Sequence, residues 1–141
     1  MTHFISILFI AVTFLISCNS DSSGRRTETA SVAPSVSIIH SLRSSEIKTL
    51  RDEKEVIFLD VRTLSEYSSG HIREAVHLDF YAEDFSQRLE DLDRSQTYVV
   101  YCAVGGRSNK AVRMMKKMGF KEVYDASEGF ATLKSSGIPA E

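Results

Sequence analysis

Cys102 closes the apolar run Tyr98–Tyr101 and is followed by Ala103, Val104, Gly105, Gly106, Arg107 and Ser108. A cysteine in that position is a candidate nucleophile because the reactive species is the thiolate, and everything around it can favour thiolate over thiol. Gly105 and Gly106 permit positive φ and close backbone approach, so the amides of residues 103 to 107 can form a nest around the sulfur. The helical pattern that follows aims its positive end at the same point, and Arg107 adds a full charge. No histidine is needed for this activation. On local pattern alone the same cysteine also fits a small core residue after a buried strand, with Gly-Gly as a plain turn.

Positioning such a loop requires a strand before it and a helix after it, and the chain supplies that alternation several times. "VSIIH", "VIFLDV", "AVHLDF", "TYVVYC" and "EVYDA" read as strands. "SSEIKTLRDEK" is helical, with Ser44 or Ser45 as cap, and "TLSEY" carries a capping box, Thr63 with Glu66 three residues on, ended by Gly70. In "YAEDFSQRLEDL", Phe85, Leu89 and Leu92 share one face. After Cys102, Ala111, Met114, Met115 and Met118 make an apolar stripe ended by Gly119, with Lys110, Arg113, Lys116 and Lys117 on the solvated face, where they can draw anionic substrates toward the helix. Strands alternating with helices over residues 36–141 predict an α/β domain, a mainly parallel sheet with helices on both faces. Ligands of such sheets bind beyond the carboxyl ends of the strands. Asp60, Cys102 and Asp125 close three of those strands and are expected to share that edge.

Composition narrows the partners. Net charge is -2 over 141 residues, which gives no basic footprint for nucleic acid. Two cysteines, Cys18 and Cys102, build no disulfide framework. His40 and His77 form no metal-ligand spacing with each other or with Cys102, so neither a metal nor a cofactor is expected. His71 in "SGHI" reads as a packing or hydrogen-bonding residue before a general base.

The N-terminus is organised differently. Phe4 to Ile16 is thirteen residues of almost unbroken apolar character, shorter than the roughly 20 needed to span a bilayer. Residues 1–17 therefore read as a signal peptide. "LISC", Leu15 to Cys18, resembles a bacterial lipobox, which implies lipidation of Cys18 and a membrane anchor in the cell envelope, with the domain in the periplasm or outside the cell. No Lys or Arg precedes the apolar run. Residues 18–35, rich in Ser and Thr, read as a tether that cannot bury enough apolar surface to fold.

From Phe58 to Phe80 and from Val99 to Pro139 the sequence resembles the single-domain rhodanese family. The family's C-x-x-G-x-R-S loop falls on Cys102, Gly105, Arg107 and Ser108. Its L-D-V-R and G-H-I signatures fall on Leu59 to Arg62 and Gly70 to Ile72. The resemblance implies a five-stranded parallel sheet and transfer of a sulfane sulfur, from thiosulfate or a similar donor to a thiol or cyanide acceptor, through a Cys102 persulfide. Residues 103 to 108 would bind the substrate, and Asp60 and Arg62 would support the pocket or pair with each other.

Two positions depart from the family pattern. Arg73-Glu74 replaces the Pro-Gly pair after G-H-I, which should change the turn more than the chemistry. Leu133 occupies a slot that is usually tryptophan, which should alter the pocket rim. A noncatalytic binding module and a cysteine phosphatase remain the alternatives. Against the phosphatase, four residues separate Cys102 from Arg107, one fewer than those enzymes place there.

Overall fold

The structure is a computed structural model that describes residues 38–141, with side chains from His40 onward. Signal peptide, Cys18 and tether fall outside the described residues.

Five strands form one sheet: β1 (Ile38–Ser41), β2 (Ile57–Asp60), β3 (Val76–His77), β4 (Thr97–Tyr101) and β5 (Glu122–Ala126). Their order is β1-β5-β4-β2-β3, and every pairing is parallel. The expected α/β parallel sheet is therefore present. Parallel strands need crossovers, and helices supply them: α1 (Ser44–Glu53), α2 (Leu64–Ser68), α3 (Phe85–Glu90), α4 (Gly106–Lys117) and α5 (Phe130–Ser135).

The central strand β4 divides the core by its alternation. Tyr98, Val100 and Cys102 face one apolar cluster, where Phe85 and Leu89 of α3 meet Ala111, Val112 and Met115 of α4. Val99 and Tyr101 face the other, with Ile47 of α1 and Leu133 of α5. Burial on both faces explains the unbroken apolar run "YVVY". Met114 and Met118 pack only at the margin of the first cluster, and Met115 is its buried member.

Helix starts differ from the simplest reading of the sequence. Arg43, and not a serine, precedes α1; its backbone N–H donates to Glu46 at 2.8 Å, while the N–H of Ser44 donates to Glu128 at 2.6 Å. Two acidic side chains thus satisfy the first amides of the helix start, and the Glu46 and Ile47 amides that a serine hydroxyl was expected to serve donate to the Arg43 carbonyl at 2.9 and 3.0 Å. The Thr63–Glu66 capping box on α2 is present in both directions.

Arg73-Glu74 occupies the centre of a turn closed by Ala75 N–H to Ile72 C=O at 3.0 Å. Glu74 has φ 63°, the one positive φ among described non-glycine residues. A positive φ at the third turn position suits glycine, and proline suits the second. The path is one that Pro-Gly also follows, so the substitution alters strain and not the course of the chain. Arg73 also donates its N–H to Pro139 at 3.0 Å, a bond that proline could not make. Glu74→Gly is expected to raise stability by about 1 kcal/mol, seen as a higher denaturation midpoint at unchanged slope. An unchanged or lower midpoint would show that Glu74 is not strained.

Candidate active site

Cys102 follows the last residue of β4, beyond the carboxyl end of the central strand, and is 1% exposed. The chain then turns through Gly105 (φ 87°) into α4. Gly105 N–H donates to Cys102 Sγ at 3.1 Å. Ser108 Oγ stands 3.8 Å from the sulfur and donates to the Gly105 carbonyl at 3.0 Å. Burial of the sulfur disfavours ionisation, yet the amides of Ser108, Val104 and Arg107 and the Ser108 hydroxyl outweigh it. The Cys102 thiol is held below its ordinary value.

The glycines play different parts from those the sequence suggested. Only Gly105 needs its missing side chain: a Cβ there would lie 2.3 Å from the Ser127 carbonyl oxygen. Gly106 opens α4 in ordinary helical conformation, and a Cβ on it would meet nothing within 4 Å. The loop seats on β5's exit because its backbone can touch Ser127.

Arg107 directs most of its charge to Glu66 and a smaller share to the sulfur. Its guanidinium makes two parallel hydrogen bonds to Glu66, both 2.7 Å, and stands 5.7 Å from the Tyr81 ring centre. Arg107 and two groups at Thr63 hold the Glu66 carboxyl down at about 2. A depressed carboxyl gives its stabilisation above the ordinary carboxylate range and loses it only as pH falls toward that value. The clamp between α2 and the loop therefore does not titrate near neutrality.

A cleft of about 500 Å³ opens over the sulfur, lined by Thr63, Glu66, Tyr81, Val104, Arg107 and Lys110 among others. Thr63, Glu66, Tyr81 and Lys110 were not expected there. Glu66 carried a signal, a carboxylate at the start of a helix, but its partner lies 41 positions away. Lys110 is exposed and has no ion-pair partner among the described residues. A slightly larger cleft of about 520 Å³ lies elsewhere, between Lys54, Phe58, Arg73 and Pro139. It holds no cysteine.

Of the other expected residues, Asp60 and Arg62 lie at the same strand edge but do not line the cleft. Both are buried, and Arg62 donates to Asp60 from Nε and Nη2 while a second Nη2 bond reaches the Gly70 carbonyl at 2.7 Å. They fix the loop that carries His71, whose Nδ1 meets the Tyr67 carbonyl at 3.2 Å. Asp125 is buried under α4, accepting from Asn109 at 3.1 Å. Ala103 turns its carbonyl against Gly129. Leu133 is fully buried beside Ile47 and Val99, so the missing aromatic changes the core and not the cleft rim. The side chain points from α5 toward the sheet, away from Cys102.

Comparison with known proteins agrees with this geometry. The description "Rhodanese-like domain" matches residues 44–136. A protein of Sodalis glossinidius named tRNA uridine(34) hydroxylase is 34% identical over 94 residues, covering 64% of this chain and 27% of that protein. The chain thus spans less than a third of the length of such curated relatives. The solved rhodanese-like domain of an Anabaena protein is 30% identical with a TM-score of 0.63, covering 72% of this chain and 77% of the other. A rhodanese-related protein of Thermoplasma volcanium, at 24% identity and a TM-score of 0.62 over 72% of this chain and 97% of its own, shares the fold.

Proposed function

The chain belongs to the rhodanese family, and from that premise we propose that it is a sulfurtransferase working through a Cys102 persulfide. One observation carries the reading: a buried sulfur receives the Gly105 amide at 3.1 Å at the base of an open cleft. The Cys102 thiolate attacks the outer sulfur of thiosulfate, a new S–S bond forms, and the old one breaks with its electron pair leaving on sulfite. The outer sulfur of the persulfide then sits among the loop amides, which stabilise its negative charge without reorganising. A nucleophilic acceptor attacks that outer sulfur, and the electron pair of the broken bond returns to Cys102 as thiolate. Arg107, neutralised by Glu66, holds the loop in shape, while Lys110 supplies an unpaired cation at the mouth for an anionic donor.

The hydroxylase activity named for the curated relatives belongs to proteins several times longer than the matched stretch, and nothing in the Cys102 cleft favours it here. Loop length favours sulfur over phosphate. Four residues between Cys102 and Arg107 enclose a ring suited to one added sulfur; a tetrahedral phosphate needs donors at roughly 2.7–3.1 Å around a wider ring.

The test is intact-mass analysis after thiosulfate, with parallel assays on cyanide and an aryl phosphate. Gain of one sulfur atom, its loss to cyanide, and an untouched aryl phosphate are expected. A chain that never gains sulfur is a binding module, and phosphate hydrolysis at a rate comparable to sulfur transfer would make it a phosphatase.

A further inference from the structure

We propose that the acceptor of the Cys102 sulfur is an acidic protein that docks along α4 and lowers a cysteine on a narrow segment into the cleft. This deepens the sulfurtransferase reading and rests on it. Four large apolar side chains are exposed among the described residues, and two of them, Tyr81 (70%) and Val104 (83%), line this one cleft, while a third, Leu64 (63%), is the next residue after Thr63 of its lining. Small acceptors such as cyanide gain nothing from them. A body wider than the cleft covers all three.

Charge gives the partner its sign and its orientation. Lys110, Arg113 and Lys117 recur at helical spacing along the exposed face of α4, with Lys116 beside them. None forms an ion pair among the described residues; Arg113 donates only to the Asn109 side-chain oxygen at 3.0 Å. The stripe begins at the cleft, since Lys110 lines it, and runs about 10 Å along the helix. Asp79, Glu83 and Asp84 flank Tyr81 in sequence, so the negative charge on that stretch disfavours the same partner there and leaves the α4 stripe as its contact. An apolar centre beside an oriented charged margin has the composition of a protein interface. Exposed Leu64 and Val104 gain little from nucleotide bases, which favours a protein over a polynucleotide on this local basic stripe.

The chemistry balances without an oxidant. The partner's thiolate attacks the outer sulfur of Cys102–S–SH, that sulfur leaves as the partner's hydropersulfide, and the electron pair returns to Cys102. Because Cys102 is 1% exposed at the base of the cleft, a protein thiol reaches it only from a protruding segment.

The test uses the full-length chain and synthetic peptides in which a run of glutamates, or of glutamines, precedes Leu-Cys. On the sulfur-loaded chain, the glutamate peptide should discharge the persulfide about tenfold faster than the glutamine peptide, with the gap closing at high salt. Arg113→Glu/Lys116→Glu/Lys117→Glu should erase the gap and leave cyanide discharge unchanged; Leu64→Ser should slow both peptides and spare cyanide. Fluorescence anisotropy on the Cys102→Ser chain, where no transfer occurs, should show the same preference for the glutamate peptide. Equal discharge and equal binding of the two peptides would overturn the docking proposal even where thiosulfate loading succeeds. Failure of loading with preferential binding intact would remove the sulfurtransferase reading and leave the surface. Tighter binding of a single-stranded RNA than of the glutamate peptide would overturn the protein partner.

Discussion

Cys102→Ser is expected to abolish sulfur loading, with thiosulfate turnover falling to the uncatalysed background. The variant should remain folded, because serine fills nearly the same volume at a site already supplied with polar partners, Gly105 N–H at 3.1 Å and the Ser108 hydroxyl at 3.8 Å. Loss of activity with an intact fold separates a nucleophile from a packing cysteine. The parent enzyme carries a further mark of the same chemistry. Because loop amides hold the thiol below its ordinary value, thiolate persists to lower pH than in a free cysteine. The loading rate should therefore rise with pH and reach half its plateau at a lower pH than a free cysteine does. Residual sulfur transfer by Cys102→Ser, or a midpoint at or above the free-thiol value, would place the nucleophile elsewhere or remove the role of the nest.

Much of this site could be read from sequence because its parts are local. Cys102, Gly105 and the start of α4 lie within one short stretch, where a strand, a turn and a helix must follow one another. The capping box of Thr63 and Glu66 is local in the same way. What was not legible is the long-range half. Glu66 reaches Arg107 only because β2 and β4 are neighbours, which brings the two loops following them together. Tyr81 falls in a stretch that reads as helical, yet α3 begins only at Phe85 and leaves Tyr81 on the loop before it, and nothing in the pattern of α4 singles Lys110 out from its solvated neighbours. Leu133 misled for the opposite reason: an aromatic slot in a sequence pattern says nothing of whether the side chain faces a cleft or a core. Periodicity gives the face of a helix, and tertiary packing decides what that face meets.

Asp60 illustrates the same limit and carries the largest expected effect on stability. Its carboxylate is fully buried and receives four hydrogen bonds from Arg62, one from the backbone N–H and three from the guanidinium. The guanidinium, in turn, holds the Gly70 carbonyl and lies 4.1 Å from the Phe130 ring centre. Such a pair contributes little net stability relative to apolar residues, but losing one partner leaves an uncompensated charge in the interior. Asp60→Ala should therefore cost about 3–5 kcal/mol, a large share of the roughly 5–15 kcal/mol that holds a domain together. The chain should melt far below the parent or fail to fold at ambient temperature. Asp60→Ala/Arg62→Met, which removes both charges, should recover much of that loss, and this recovery identifies the stranded guanidinium as the cause. Denaturant titration of the parent and both variants reads the difference directly. A single variant within about 1 kcal/mol of the parent, or a double variant no more stable than the single, would show that water or a rotated side chain already satisfies Arg62 and that the pair does not anchor the Gly70 loop.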